Sequence, residues 1–246
     1  MVSLINSRYK MAYILKFDSV KMIYFAIPKA ANTSIRHFLS QFMGADPSIS
    51  YKNIHQQIQW DGLNRSEARM INKDYLSFTV TRNPWDKVVS VYSNKICGDK
   101  FHKPLSKFGF SPDMNFKSFI DLLSKIPDKG NDIHLTSQWG LLQHQGKLLP
   151  QLIFDISELH KLEFLIKSWS SHNGVEASGN IKVTNQSVLS NNFIDFMNDQ
   201  SFDHGKKSFF FMRAKDDLLS NKNFFKDKIY TRYKKDIDFF GYEFPY

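Results

Sequence analysis

Lys29 stands in the stretch "IPKAANTSI", residues 27–35, where a lysine, an amide and two hydroxyls fall within six residues. An apolar run, a tight turn and a helix start in succession aim several unpaired backbone N–H groups at one place, and with the helix dipole they make an anion site. Lys29 adds a full positive charge, Asn32 an amide, and Thr33 and Ser34 hydroxyl donors. Small Ala30 and Ala31 let an anion approach the backbone without glycine. A triphosphate loop would read G-x-x-x-x-G-K-[ST], and no stretch does so. It would also need an acid at the end of a neighbouring strand to hold magnesium. The stretch "YLSFTVT", 75–81, is followed instead by Arg82. With Ser90 eight residues further on, Arg82 offers a second anion a guanidinium and a hydroxyl.

The elements that must position these groups are legible as patterns. Three short apolar runs, 22–27, 75–81 and 151–156, read as strands of a buried sheet. Helical periodicity covers 33–43, 84–96, 116–126, 158–170, 191–199 and 221–241. Asn83, Pro84 and Asp86 form a good start signal for the second of these helices. Segments 98–115 and 171–190 read as loops. Strands alternating with helices predict a single α/β domain over 1–246, a three-layer α/β/α arrangement of P-loop-like type around a central parallel sheet.

Composition narrows the chemistry. Apolar residues make up 42% of the 246, enough for a sizeable core, and 23 phenylalanines make that core ring-rich. The single cysteine, Cys97, rules out an intrachain disulfide framework and a cysteine-rich zinc site. No histidine pair has H-x3-H spacing, so no metal is expected. Arg8, Lys10 and Lys16 interrupt every apolar run of the first 22 residues, so neither a membrane span nor a signal segment is expected, and the cytoplasm is the expected compartment. The formal charge of +9 favours an anionic partner. Its lysines are spread out rather than striped, which argues against nucleic acid.

Taken in order, strand, P-K-x-x-x-T-S, helix, then strand, R-x-P-x5-S-x-Y, helix resembles the sulfotransferases that use 3′-phosphoadenosine 5′-phosphosulfate (PAPS). The likeness is to the Golgi-type, carbohydrate-sulfating branch, here in a soluble form. It implies that Lys29 and the loop Ala30, Ala31, Asn32, Thr33 and Ser34 hold the 5′-phosphosulfate, and that Arg82 and Ser90 hold the 3′-phosphate. It also implies that Lys29 assists departure of the bridging oxygen, and that the acceptor is a hydroxyl of a carbohydrate or glycoconjugate. "DIHLTSQW" (132–139), "VTNQS" (183–187) and "YKKDIDFFGYEF" (233–244) resemble further segments of the family, and the second adds Asn185 and Ser187 to the cofactor-binding set.

An alcohol acceptor needs a general base. Eight histidines are present, and two become candidates through the resemblance: His55, in "YKNIHQQIQW", and His134, in "DIHLTSQ". Glu67 and Asp61 are carboxylate alternatives, and His37 reads as structural. Two other readings fit the residues less well: a kinase-like phosphotransferase with a degenerate loop, and a non-catalytic binder of acidic glycan or nucleic acid.

Overall fold

The computed structural model describes residues 13–182 and 213–245, apart from 47, 52, 59, 99, 113, 129, 215 and 218. The expected helix over 191–199, together with Asn185 and Ser187, lies outside the described residues. The chain forms two compact units, one drawn from Met1–Thr81 and Leu142–Thr184, the other from Arg82–Leu141 and Asn185–Tyr246.

The first unit is built on a four-stranded sheet. Its strands are β1 (Ile14–Phe17), β2 (Met22–Phe25), β3 (Leu76–Thr81) and β6 (Leu152–Asp155), in the order β1-β2-β3-β6, while β4 (Gln143–His144) and β5 (Lys147–Leu148) pair as a separate hairpin. β2, β3 and β6 run parallel, with Met22 opposite Leu76 and Phe78 opposite Leu152. The three strands read from the sequence are therefore the three parallel ones. The fourth makes the sheet mixed: β1 lies antiparallel to β2, with Ile14 opposite Phe25. Sequence reading missed β1 because Lys16 interrupts its apolar run. That lysine is three-quarters covered, and its ammonium pairs with Asp18 at 2.7 Å and Asp61 at 3.3 Å.

β2 is buried along its whole length, as expected of a central strand. Tyr24 stacks on Phe78 of β3, and the Thr79 hydroxyl donates to the Phe25 carbonyl at 2.7 Å, so even the hydroxyl of β3 is satisfied within the sheet. Helix α1 (Asn32–Leu39) follows β2 and buries Ile35, Phe38 and Leu39, the apolar face seen in the sequence. It tightens into a 3-10 turn over Ser40–Met43 and stops at left-handed Gly44. α2 is Ile54–Gln57 and α3 is Arg65–Ile71, the latter started by a capping box between Asn64 and Glu67. Helix α7 (Leu159–His172) closes the unit, burying Leu162 and Ile166, and its Trp169 indole donates to the Val20 carbonyl at 2.8 Å.

The second unit is helical, built from α4 (Pro84–Val91), α5 (Phe116–Lys125), α6 (Gln138–Leu142) and α8 (Lys222–Phe240). The expected helix over 84–96 is present, but its last turn, Tyr92–Ile96, widens into a π-helix. The 98–115 loop contains a 3-10 turn, Lys103–Phe108. Trp85, Val88, Tyr92, Phe116, Phe119, Phe225 and Ile229 belong to one buried cluster, and Tyr92, Phe119 and Phe225 all lie within about one ring width of Phe116. Phe110 belongs to the same cluster, and Phe101, Phe108, Phe224 and Phe244 pack against it, whereas Phe17, Phe25, Phe38, Phe42 and Phe78 are buried in the first unit. No helix among the described residues is long and apolar enough to cross a membrane.

A polar network fastens the segment before α6 to α8. Asp236, fully buried, accepts from the main-chain N–H groups of Gln138 and Trp139 at 2.8 and 2.7 Å, capping α6 from outside its own sequence. The Tyr233 hydroxyl donates to the Leu135 carbonyl at 2.9 Å, and Arg232 bridges Leu135 and Asp128. Lys87, also fully buried, donates to the Thr136 carbonyl at 2.6 Å and lies 5.4 Å from the Tyr233 ring centre. Gly140 is required here: a β-carbon on it would fall 2.7 Å from the Ser137 hydroxyl and 2.9 Å from the Asp128 carboxylate.

Burial pushes the Lys87 pKa down from 10.5 to about 8, against the pull of Asp236 and Asp128. Between those two pH values the unfolded lysine holds a proton that the folded one has shed, so folding gains from rising pH. The unfolding free energy of the wild type, relative to Lys87→Met, should therefore rise by on the order of 2–3 kcal/mol from pH 8 to 10.5. Denaturant titrations across that range check it, and parallel pH curves would contradict it.

Candidate functional site

The loop between β2 and α1 carries the residues expected to bind an anion, and it holds no glycine. Lys29 and Ala31 both take left-handed backbone conformations, φ 70° and 53°, which side-chain-bearing residues rarely adopt. No side chain caps α1, whose ladder begins with Ile35 N–H to the Ala31 carbonyl at 3.0 Å. The N–H groups of residues 32–34 thus have no acceptor in the helix itself. Ala30 is fully buried, Ser34 nearly so, and Lys29 is half-buried.

Asn32 is oriented from behind. Its side-chain oxygen accepts from Arg36 Nε at 3.1 Å and from the Tyr24 hydroxyl at 3.4 Å. With the oxygen so occupied, the amide nitrogen is left to donate elsewhere. Arg36 is itself fixed, 1% exposed and 5.0 Å from the Trp60 ring centre. Neither Arg36 nor Tyr24 stood out in the sequence. The available signal was spacing: Arg36 lies four residues beyond Asn32, on the same face of a helix.

His55, at the start of α2, brings its Nε2 to 3.2 Å from the Thr33 hydroxyl. Of the two candidate bases it is the one joined directly to this loop within the first unit. The other early candidates have structural work. His37 bonds the Ile49 carbonyl at 3.0 Å and stacks on Tyr51. Glu67 closes the capping box of α3, and Asp61 pairs with Lys16.

In the second unit, Arg82 comes next in the chain after β3 and is buried. Its main chain is bracketed by one side chain: Arg82 N–H donates to the Gln138 amide oxygen, and the Gln138 amide nitrogen donates to the Arg82 carbonyl, both at 2.8 Å. Ser90, on α4, is 8% exposed. His134 lies beside Asp132, which it meets through Nδ1 at 2.6 Å, while His102 Nε2 reaches the other carboxylate oxygen at 3.0 Å. Burial pushes the His134 pKa down to about 4, outweighing the opposing Asp132 hydrogen bond, so the ring is neutral at pH 7. Burial works to raise the Asp132 carboxyl, but the hydrogen bonds from His134 and His102 win and hold it well below the usual range. His102 was invisible from spacing, since it stands 30 residues before Asp132.

The order of these elements is matched by a known family over nearly the whole chain: residues 13–243 fit the profile of the Sulfotransferase family. The chain belongs to this family. It is thus a transferase, and its chemistry is the movement of a sulfuryl group from a donor to an acceptor. Searches of curated proteins and of solved structures returned no match. The mixed α/β fold, with parallel strands at its centre, agrees with that membership.

The two left-handed residues give this sulfotransferase a testable strain. Replacing Ala31 by Gly removes a left-handed penalty of about 1–2 kcal/mol and loosens the unfolded chain by somewhat less. Ala31→Gly should therefore stabilise the protein by about 0.5–1 kcal/mol, a rise of about 2 °C in Tm by calorimetry. A lower Tm would mean that Ala31 is not strained in this loop.

Proposed function

We propose that the protein transfers a sulfuryl group from PAPS to a hydroxyl of a carbohydrate or glycoconjugate, with no metal ion in the transfer step. The observation that carries this reading is the loop at residues 28–34. It combines a lysine, a directed amide, the first-turn N–H groups of α1 and a histidine in contact with one of its hydroxyls. Cys97 as sole cysteine suits a reducing compartment, and on that ground we place the reaction in the cytoplasm.

In this mechanism Lys29, the N–H groups of residues 32–34, the Asn32 amide and the Thr33 and Ser34 hydroxyls bind the phosphosulfate end of the donor. Arg82 and Ser90 bind its 3′-phosphate, joined by Asn185 and Ser187 through the resemblance of that stretch. His55 accepts the proton of the acceptor hydroxyl on Nε2, where the Thr33 hydroxyl now lies. The acceptor oxygen forms its bond to sulfur as the bond from sulfur to the bridging oxygen breaks. Negative charge builds on that leaving oxygen, where the Lys29 ammonium stabilises it. The group in flight carries less charge than a phosphoryl group, so one ammonium and oriented N–H donors suffice where triphosphatases recruit magnesium.

PAPS should bind with undiminished affinity in EDTA, as measured by calorimetry. Lys29→Ala should lower the transfer rate at least about 100-fold, the scale of losing a positioned electrostatic donor. His55→Ala should lower kcat by about 100- to 10,000-fold while leaving donor affinity within a few-fold, the signature of a lost base rather than a lost binding group. A transfer activity that strictly required magnesium and ATP would overturn the reading.

A further inference from the structure

Outside the anion loop, the second unit holds a cluster that the transfer mechanism does not use. His102, Asp132 and His134 each offer one ligand atom, and these atoms lie within 4.8 Å of one another. The two imidazoles meet edge to face, ring centres 5.1 Å apart, and both turn a nitrogen to the same carboxylate. The cluster is well covered, with side-chain exposures of 28% for His102, 10% for Asp132 and 12% for His134.

Its carriers are fixed by main-chain bonds. The His134 N–H donates to Asp132 Oδ1 at 2.9 Å, and the N–H groups of Leu135 and Thr136 donate to the Asp132 carbonyl. The His102 N–H bonds the Lys95 carbonyl, and its own carbonyl accepts from Leu105, both at 2.9 Å. Three ligands are thus held in place before any ion arrives.

We propose that His102, Asp132 and His134 form a three-ligand binding site for a divalent metal of the zinc class, which joins the 98–115 loop to the turn that precedes α6. The donor set selects the metal: two imidazoles and one carboxylate suit Zn²⁺, whereas Mg²⁺ and Ca²⁺ demand oxygen ligands. Water completes the fourth position. An imidazole that binds the ion through the nitrogen now turned to Asp132 carries its ring proton on the other nitrogen, which faces away from the ion. Ligand atoms of a tetrahedral zinc stand about 3.3 Å apart, so the present contacts of 2.6 and 3.0 Å, made to different carboxylate oxygens, open by about 0.7 and about 0.3 Å. Lys95 acts electrostatically on His134 and opposes added positive charge, which sets the affinity below that of a thiolate site.

The inference stands apart from the sulfuryl-transfer reading, and its test uses neither PAPS nor an acceptor. Zn²⁺ is titrated calorimetrically into EDTA-stripped, full-length protein, with Tm recorded alongside. One equivalent should bind saturably and raise Tm, and excess Mg²⁺ should not compete. His102→Ala and Asp132→Asn should each weaken binding at least about tenfold, whereas His160→Ala, an exposed position on α7, should leave it unchanged. His102→Gln guards against a folding defect, because its amide can still donate to Asp132 but is a poor zinc ligand. It should keep the metal-free Tm and lose the zinc-induced rise. No saturable equivalent, or a full equivalent retained in all three cluster variants, would overturn the site.

Discussion

One buried carboxylate organises the helical unit. Asp236 sits with no solvent exposure, and such a charge is tolerated only where donors and an opposite charge answer it. The answer comes from the N–H groups of Gln138 and Trp139, with Lys87 acting on it electrostatically. Gln138, once held by its backbone, uses its side chain to bracket the main chain of Arg82 from both sides. A residue 154 positions further along the chain thereby fixes the backbone of the arginine that follows β3, since 236 − 82 = 154. Removing Asp236 would leave the start of α6 uncapped and Lys87 as a buried cation without its main counter-charge. The placement of the Arg82 main chain and the capping of α6 therefore depend on the same buried contact.

The anion loop solves a different problem. Glycine would supply left-handed geometry at Lys29 and Ala31 without strain, yet it would also enlarge the set of conformations open to the loop. Lysine at one of those positions is unavoidable if the charge is to sit inside the turn. Alanine at the other keeps the backbone narrow in choice while leaving room for an anion. The support beneath Asn32 follows the same logic. An amide can present either its oxygen or its nitrogen, and two donors on the oxygen remove that ambiguity before any ligand arrives.

What could be read from the sequence divides along the same lines. β2, β3 and β6 were legible because buried parallel strands are continuous apolar runs, and α1, α4 and α5 because their apolar faces repeat at helical spacing. Lys29, Asn32 and Thr33 drew notice because they share one contiguous stretch, which the structure places between β2 and the first turn of α1. β1 was not, since a lysine stands in its middle and only two distant aspartates explain its tolerance. The π-helical turn after Val91 left no mark in the periodicity. Nor did the roles of Gln138, Asp236 and His102, whose partners are 56, 98 and 30 residues away. Local patterns encode elements, whereas these contacts are made only when elements meet.

The choice between the two histidines shows how burial decides chemistry. An aspartate beside a histidine ring is often taken as the mark of a strong base, and Asp132 does hold His134 in one tautomer. Here desolvation outweighs that partner and leaves His134 with a pKa of about 4. A base is most effective when its pKa lies near the working pH. A ring three units below neutrality therefore has little drive to take a proton from an alcohol. His134 is better suited to lending a neutral nitrogen to a metal. His55 instead meets a hydroxyl of the loop before α1, the place an incoming alcohol would take in the proposed transfer. The aspartate pair is the more conspicuous motif, but the proposed transfer is better served by the imidazole that touches the loop itself.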